Sequence, residues 1–287
     1  MSLPYISQPG SPAPDRIIGV AGRGRAFSLD LRAGERLVDG VAAGFAAAGF
    51  DSGTVALHGL SLAPFAYVMP APSKSPSNAA FYSETFRPAG SAVVSCGQMS
   101  FGRRDNAPFF HAHGLWREAD GRLSGGHILP DETRVAAPCR LEAFGFSGMR
   151  FEAAPDAEIN FTVFGPVAVA ASASTGGMVH ALRLRPNQCL HRALEIYAAE
   201  HGIQRARLSG GVGSTIGAVF DDGRTLPGAF TELYVARGGI APDEAGQPVA
   251  TIEVGIIDHL GNQAVGRLRR GANAVLMTIE IALEVIA

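Results

Sequence analysis

The sequence predicts an α+β fold built twice: two similar domains, each a mostly antiparallel, curved sheet packed with an amphipathic helix. Three observations lead there. The chain has 287 residues, long for one domain and comfortable for two. A strand–helix–strand pattern near the N-terminus returns at an offset of 153 residues, the separation of Leu31 from Leu184, of Leu37 from Leu190 and of Gly49 from Gly202. Hydrophobic residues make up 47% and charged residues 17%, ample material for packed cores with little sign of disorder.

Taken in order, residues 1–15 are rich in Pro and Ser and form a flexible tail, without the apolar core of a signal peptide. The first domain spans 16–167. A strand reaching Leu31 is followed by Leu37, Val41, Phe45 and Ala48 at helical spacing. Gly49 stands where a helix end favours a residue tolerant of positive φ. Thr54, Val55, Ala56 and Leu57 then read as a strand. The Pro- and Ser-rich stretch 64–76 is an extended loop, since these residues do not sustain a ladder or a helix. Further strands lie around Val93 and over 141–146, with a turn at Asp120-Gly121. Residues 168–177, mostly Ala, Ser and Gly, form a linker.

The second domain, 178–287, repeats this order. Leu190, Leu194, Tyr197 and Ala198 mark its helix, and Gly202 ends it. Strands follow at Leu208 and at Leu233-Tyr234-Val235, then a turn at Leu260-Gly261 and a closing apolar strand over 276–286. The offset shrinks to 141 between Ala92 and Leu233, and to 140 between Gly126 and Gly266, as loops differ in length. No stretch is apolar for long enough to cross a bilayer as a helix.

Charge and cysteine content narrow the partners. With 24 basic and 26 acidic residues the net charge is −2, and there is no basic stripe. Affinity for nucleic acid depends on neutralising phosphates, so DNA is not expected as a tight partner of the chain alone, and no DNA-binding residue is assigned. Cys96, Cys139 and Cys189 are far apart with no CxxC pair, which suggests reduced thiols in a cytoplasm. Cys96 and Cys139 read as buried strand residues.

The chemistry concentrates in Phe110-His111-Ala112-His113-Gly114 and the following Asp120-Gly121-Arg122-Leu123-Ser124-Gly125-Gly126-His127. On a strand, His111 and His113 project to one face. A hairpin at Asp120-Gly121 returns His127 beside them. Three converging neutral imidazoles suit a divalent metal, zinc first, and leave a fourth position for water, a carboxylate or a ligand. Glu142, on the next strand, is the candidate fourth ligand or supporting carboxylate. The competing reading is that the imidazoles only hydrogen-bond within a polar interface. The second copy has Thr251, Glu253 and Arg267 at the matching positions, so one metal per chain is expected.

Other motifs carry less. His58 reads as a loop residue beside glycine. Gly22-Arg23-Gly24-Arg25 lacks the proline of an AT-hook, with Ala26 in its place. Gly210-Gly211-Val212-Gly213-Ser214 has no following Lys-Ser or Lys-Thr and reads as a strand end entering a turn. No nucleophile triad stands out, so catalytic residues are not assigned.

The H-x-H and D-G-x-x-x-G-G-H order and spacing resemble the PPC domain family, the plants and prokaryotes conserved domain. The resemblance covers nearly all of 16–150, and a degenerate version covers 178–287. One departure concerns an acidic residue that the family often places before the central glycine: Ser91 stands there in the first copy and Glu232 in the second. The resemblance implies an oligomeric assembly and interaction protein, a homotrimer, associated by name with DNA or transcription. In plant relatives a separate AT-hook touches DNA, and this chain lacks one. The alternative is a metal-dependent small-molecule-binding protein or enzyme.

Overall fold

The computed structural model of the protein describes residues 3–171 and 176–286. The first half contains β1 (Ile17–Leu31), α1 (Leu37–Ala47) and β2 (Gly53–Ala56). Short strands β3 (Ser61–Leu62), β4 (Tyr67–Val68), β5 (Pro70–Pro72) and β6 (Ala80–Tyr82) follow. Long strands β7 (Ala92–Arg104), β8 (Ala107–Arg117), β9 (Leu123–Ile128) and β10 (Cys139–Ser147) complete it. A hairpin of β11 (Met149–Asp156) and β12 (Phe161–Ala168) leads to the second half. That half comprises β13 (Gly177–Leu184), α2 (Leu190–Glu200), β14 (Ala206–Val219), β15 (Thr225–Pro242), β16 (Pro248–Asp258), β17 (Gln263–Arg267) and β18 (Val275–Val285).

Both halves obey one topology. The strand order β1-β10-β2-β7-β8-β9 in the first recurs as β13-β18-β14-β15-β16-β17 in the second. Antiparallel pairing of β1 with β13 joins them into one sheet, with Ile17 opposite Leu184. The fold is therefore α+β, mostly antiparallel, with one helix per half among the described residues. On α1, Leu37, Val41 and Phe45 are fully buried against the first core, and on α2 Leu190, Leu194 and Tyr197 do the same in the second. Each such side chain contributes ~1.5–3 kcal/mol of burial free energy. Gly49 and Gly202 follow the helices with φ of +82° and +66°, a backbone that a Cβ disfavours. A third cluster, including Phe144, Phe146, Phe151, Val179 and Ala282, packs across the junction of the halves.

The ladders test the internal alignment residue by residue. His113 faces His127 in β8/β9, and Glu253 faces Arg267 in β16/β17, so these positions correspond. Asp30 faces Arg140 where Arg183 faces Glu280, so opposite charges stand across the ladder in both copies with their order reversed. The counterpart of Glu232 is corrected by the same logic. Glu232 lies opposite Ile257, and Val93 opposite Arg117, so Val93 rather than Ser91 corresponds to it. Glycine misleads the sequence comparison here: Gly97 lies opposite Gly114, but Gly238 lies opposite Ile252, the counterpart of Ala112, so matching these two glycines slips the strands by two residues.

Other expectations are revised too. The stretch 64–76 contains ladder residues: β4 pairs with β9, and β5 with β6. The N-terminal segment is tied down rather than loose, with Ile6 N–H donating to Asn187 Oδ1 and Gly10 N–H to Glu158 O. The linker expected at 168–177 falls partly on 172–175, outside the described residues. Gly22 to Arg25 lie within β1, and Gly210 to Ser214 within β14. Cys96 is a strand residue but exposed, and Cys139 is half-buried. No helix among the described residues is long and apolar enough to cross a membrane.

Candidate metal centre

The curvature of the sheet brings β14, β15 and β16 of the second half against β7 and β8 of the first. The histidines lie in this seam. Period-two alternation puts His111 and His113 on one face of β8, and the β8/β9 ladder sets His127 directly opposite His113. On its outer side β9 is held by β4, where Val68 pairs with His127. Gly126 explains part of the glycine-rich run. Its φ is +139°, and a Cβ there would lie 2.4 Å from the Val68 carbonyl oxygen. Gly125 packs as closely, since a Cβ there would approach a Leu115 methyl to 2.6 Å.

The three ring nitrogens converge. His111 Nε2 is 2.9 Å from His113 Nε2, which is 3.3 Å from His127 Nδ1. One ligand atom from each ring fits within a 4.8 Å span. His113 and His127 are 3% and 9% exposed. Burial, then the neighbouring imidazoles, hold the His113 pKa well below the ordinary value, and burial followed by His111 does the same for His127. Both rings are therefore neutral at pH 7.

Outer partners fix the tautomers. His113 Nδ1–H donates to Leu233 O at 2.9 Å, and a carbonyl can only accept. His111 Nδ1–H donates to Glu280 Oε2 at 2.7 Å. With Nδ1–H engaged in this way on both rings, a ring that carries a single proton has a bare Nε2, so two lone pairs would face each other across 2.9 Å. Such an arrangement calls for a cation. One proton could relieve one contact, whereas a metal ion satisfies all three nitrogens together. Bonds of ~2.0–2.1 Å in a tetrahedral site separate ligand nitrogens by ~3.3 Å, close to the spacing here. The donor set thus fits a metal.

Two carboxylates from the second half complete the centre. Glu280 is fully buried and Glu232 is 6% exposed. Glu232 Oε2 lies 3.8 Å from His113 Nε2. Among the described residues neither Glu232 Oε2 nor Glu280 Oε1 has a hydrogen-bond partner. Burial raises the Glu232 pKa well above the carboxylate range. Glu232 also lines a cavity of ≈ 70 Å³ that His111 and His113 open onto.

Glu142, the carboxylate expected from the sequence, is not part of this cluster. It is exposed on β10 and accepts a hydrogen bond from Ser28 Oγ at 3.2 Å. Strand alternation decides this: Leu141 and Ala143 turn into the core, so Glu142 points outward. His58 also stands apart, bonded to Ser95 O. Sequence reasoning missed Glu280. Its one signal is an acid flanked by Ile279 and Ile281 within an apolar strand, since an acid buried on a core strand needs a partner. In the second half the matching positions form an exposed ion pair, with Glu253 3.3 Å from Arg267.

No family model and no curated protein matches the chain. Several solved structures are similar to it. A metal-containing protein from Archaeoglobus fulgidus is 19% identical, covers 50% of this chain and 94% of its own, and has a TM-score of 0.39. A plant- and prokaryote-conserved (PPC) protein from Pyrococcus horikoshii is 17% identical, with coverage of 52% and 97% and a TM-score of 0.40. A "putative DNA-binding protein" from Ralstonia eutropha JMP134 is 18% identical, with coverage of 48% and 89% and a TM-score of 0.35.

Proposed function

We propose that the protein binds one divalent metal ion, zinc first among candidates, through His111, His113 and His127, and holds a small ligand or water at the ion's remaining position. The observation that carries this reading is the 2.9 Å approach of two Nε2 atoms, each on a ring whose Nδ1 faces an acceptor on its far side. An all-imidazole donor set suits zinc, and an ion with an open position supplies Lewis acidity to whatever occupies it. Glu232 is the nearest carboxylate for the fourth position, and the adjoining cavity gives a ligand room. In the alternative, imidazoles that merely hydrogen-bond to one another, a proton between His111 and His113 relieves that one contact, whereas a metal ion engages all three nitrogens.

Elemental analysis of protein purified without chelators tests the proposal. The expected content is near one metal per chain. His113→Ala should reduce it to near zero, while Glu253→Ala, at the corresponding ladder position of the second half, should leave it unchanged. A metal-free wild-type protein, or loss of metal in Glu253→Ala, would refute the assignment.

A further inference from the structure

His111 and His127 also open onto a larger space, a cleft of ≈ 510 Å³, within the range of roughly 300–1,000 Å³ common to small-molecule sites. Its walls are aromatic. The Tyr82 ring lies 5.2 Å from His127, and Phe161 lies 5.8 Å from Tyr82 and 5.4 Å from Phe81. Phe81 and Tyr82 remain 50% and 37% exposed, so large rings are held open toward solvent beside the candidate centre.

The charges at the cleft differ in how far they are already satisfied. Glu132 is held by Arg87 in two hydrogen bonds of 2.6 and 2.7 Å, and Asp131 lies 3.6 Å from Arg36. Arg104 is different. Its guanidinium rests over the Phe109 ring at 5.4 Å, and its ion pair among the described residues is with its sequence neighbour Asp105, at 3.8 Å and 94% exposed. That contact is weak by any measure of exposed pairs. The planar fork of Arg104 is therefore positioned by Phe109 and still has donors to give.

Resting on the metal reading above, we propose that the cleft takes a small aromatic carboxylate bearing a second anionic donor. One end sits at the ion beside His111 and His127, the ring lies against Tyr82 and Phe161, and the far carboxylate pairs with Arg104. The rim acids do not oppose this, because Arg87 and Arg36 already engage them.

Isothermal titration with benzoate, isophthalate and terephthalate, alongside metal analysis of the same samples, tests the inference. In metal-loaded protein at least one dicarboxylate should bind tenfold or more tighter than benzoate. Arg104→Gln should remove that advantage while metal content stays constant, and stripping the metal should remove it as well. If metal is present but neither dicarboxylate outbinds benzoate, or Arg104→Gln keeps the advantage, this ligand class is wrong and the metal site stands. If the wild-type protein holds no metal, both proposals fall together.

Discussion

Glu280 belongs to the half of the chain that carries no histidine of the cluster, yet it should control metal affinity. Its carboxylate accepts from His111 Nδ1–H at 2.7 Å, shorter than the 2.9 Å bond from His113 to the Leu233 carbonyl. That bond holds the His111 tautomer and makes its Nε2 more basic, and partners of this kind are typically worth about 10–100-fold in metal affinity. Glu280→Gln keeps an oxygen acceptor but loses the charge, so its loss should sit near tenfold. Glu280→Ala removes the acceptor and should approach a hundredfold. These factors correspond to ~1.4 and ~2.7 kcal/mol. Competition against a chromophoric chelator measures them. A merely structural role would lower the melting temperature without moving affinity, and Arg183 keeps an ion pair with Asp156 at 2.9 Å in either variant. Unchanged affinity in a folded Glu280→Ala protein would sink the argument.

Two further outcomes are expected. Metal-free protein should lose thermal stability as pH falls below about 6.5, the ordinary imidazole value. His113, His127 and His191 all have depressed folded pKa values, His191 at about 4, so the unfolded chain binds protons that the folded chain refuses. Their contribution is fully present above pH ~6.5 and is lost toward the folded values, at most ~4 kcal/mol per pH unit for three groups. Glu232, raised by burial, acts in the opposite sense and takes back up to ~1.4 kcal/mol per unit above pH ~4.5. A melting temperature that stays flat or rises from pH 6.5 to 5 would contradict the neutrality assigned to these rings. Gly126→Ala combines a φ of +139° with a 2.4 Å approach to the Val68 carbonyl oxygen, and should cost on the order of 1–3 kcal/mol. Calorimetry and metal content together check it, since displacement of β9 also moves His127.

What could be read from the sequence divides along physical lines. The helices were legible because Leu37, Val41 and Phe45, like Leu190, Leu194 and Tyr197, recur at helical spacing and bury together. The gathering of the histidines was legible because period two and one hairpin turn are local rules, and β8/β9 register turns them into distance. The carboxylates were not. Glu280 meets His111 across 169 residues and between halves, and no periodicity encodes how distant strands of one curved sheet come face to face. Glu142 looked eligible by proximity in sequence, yet alternation along β10 sends it outward. The slip between Ser91 and Val93 has another origin: Gly97 and Gly238 invite alignment by residue type, yet the ladders set them two positions apart.

The split origin of the centre makes the two halves non-interchangeable parts. A chain fused from two first halves would contain six cluster histidines, yet the ladder register would set Arg140 where Glu280 stands and Val93 where Glu232 stands. His111 would then meet a guanidinium instead of an acceptor, and a metal ion would meet a second cation. Two second halves would offer acceptors with no imidazole to use them. Duplication has let each copy give up what the other supplies, so the chain divides between its halves a task that identical copies would each have to perform whole.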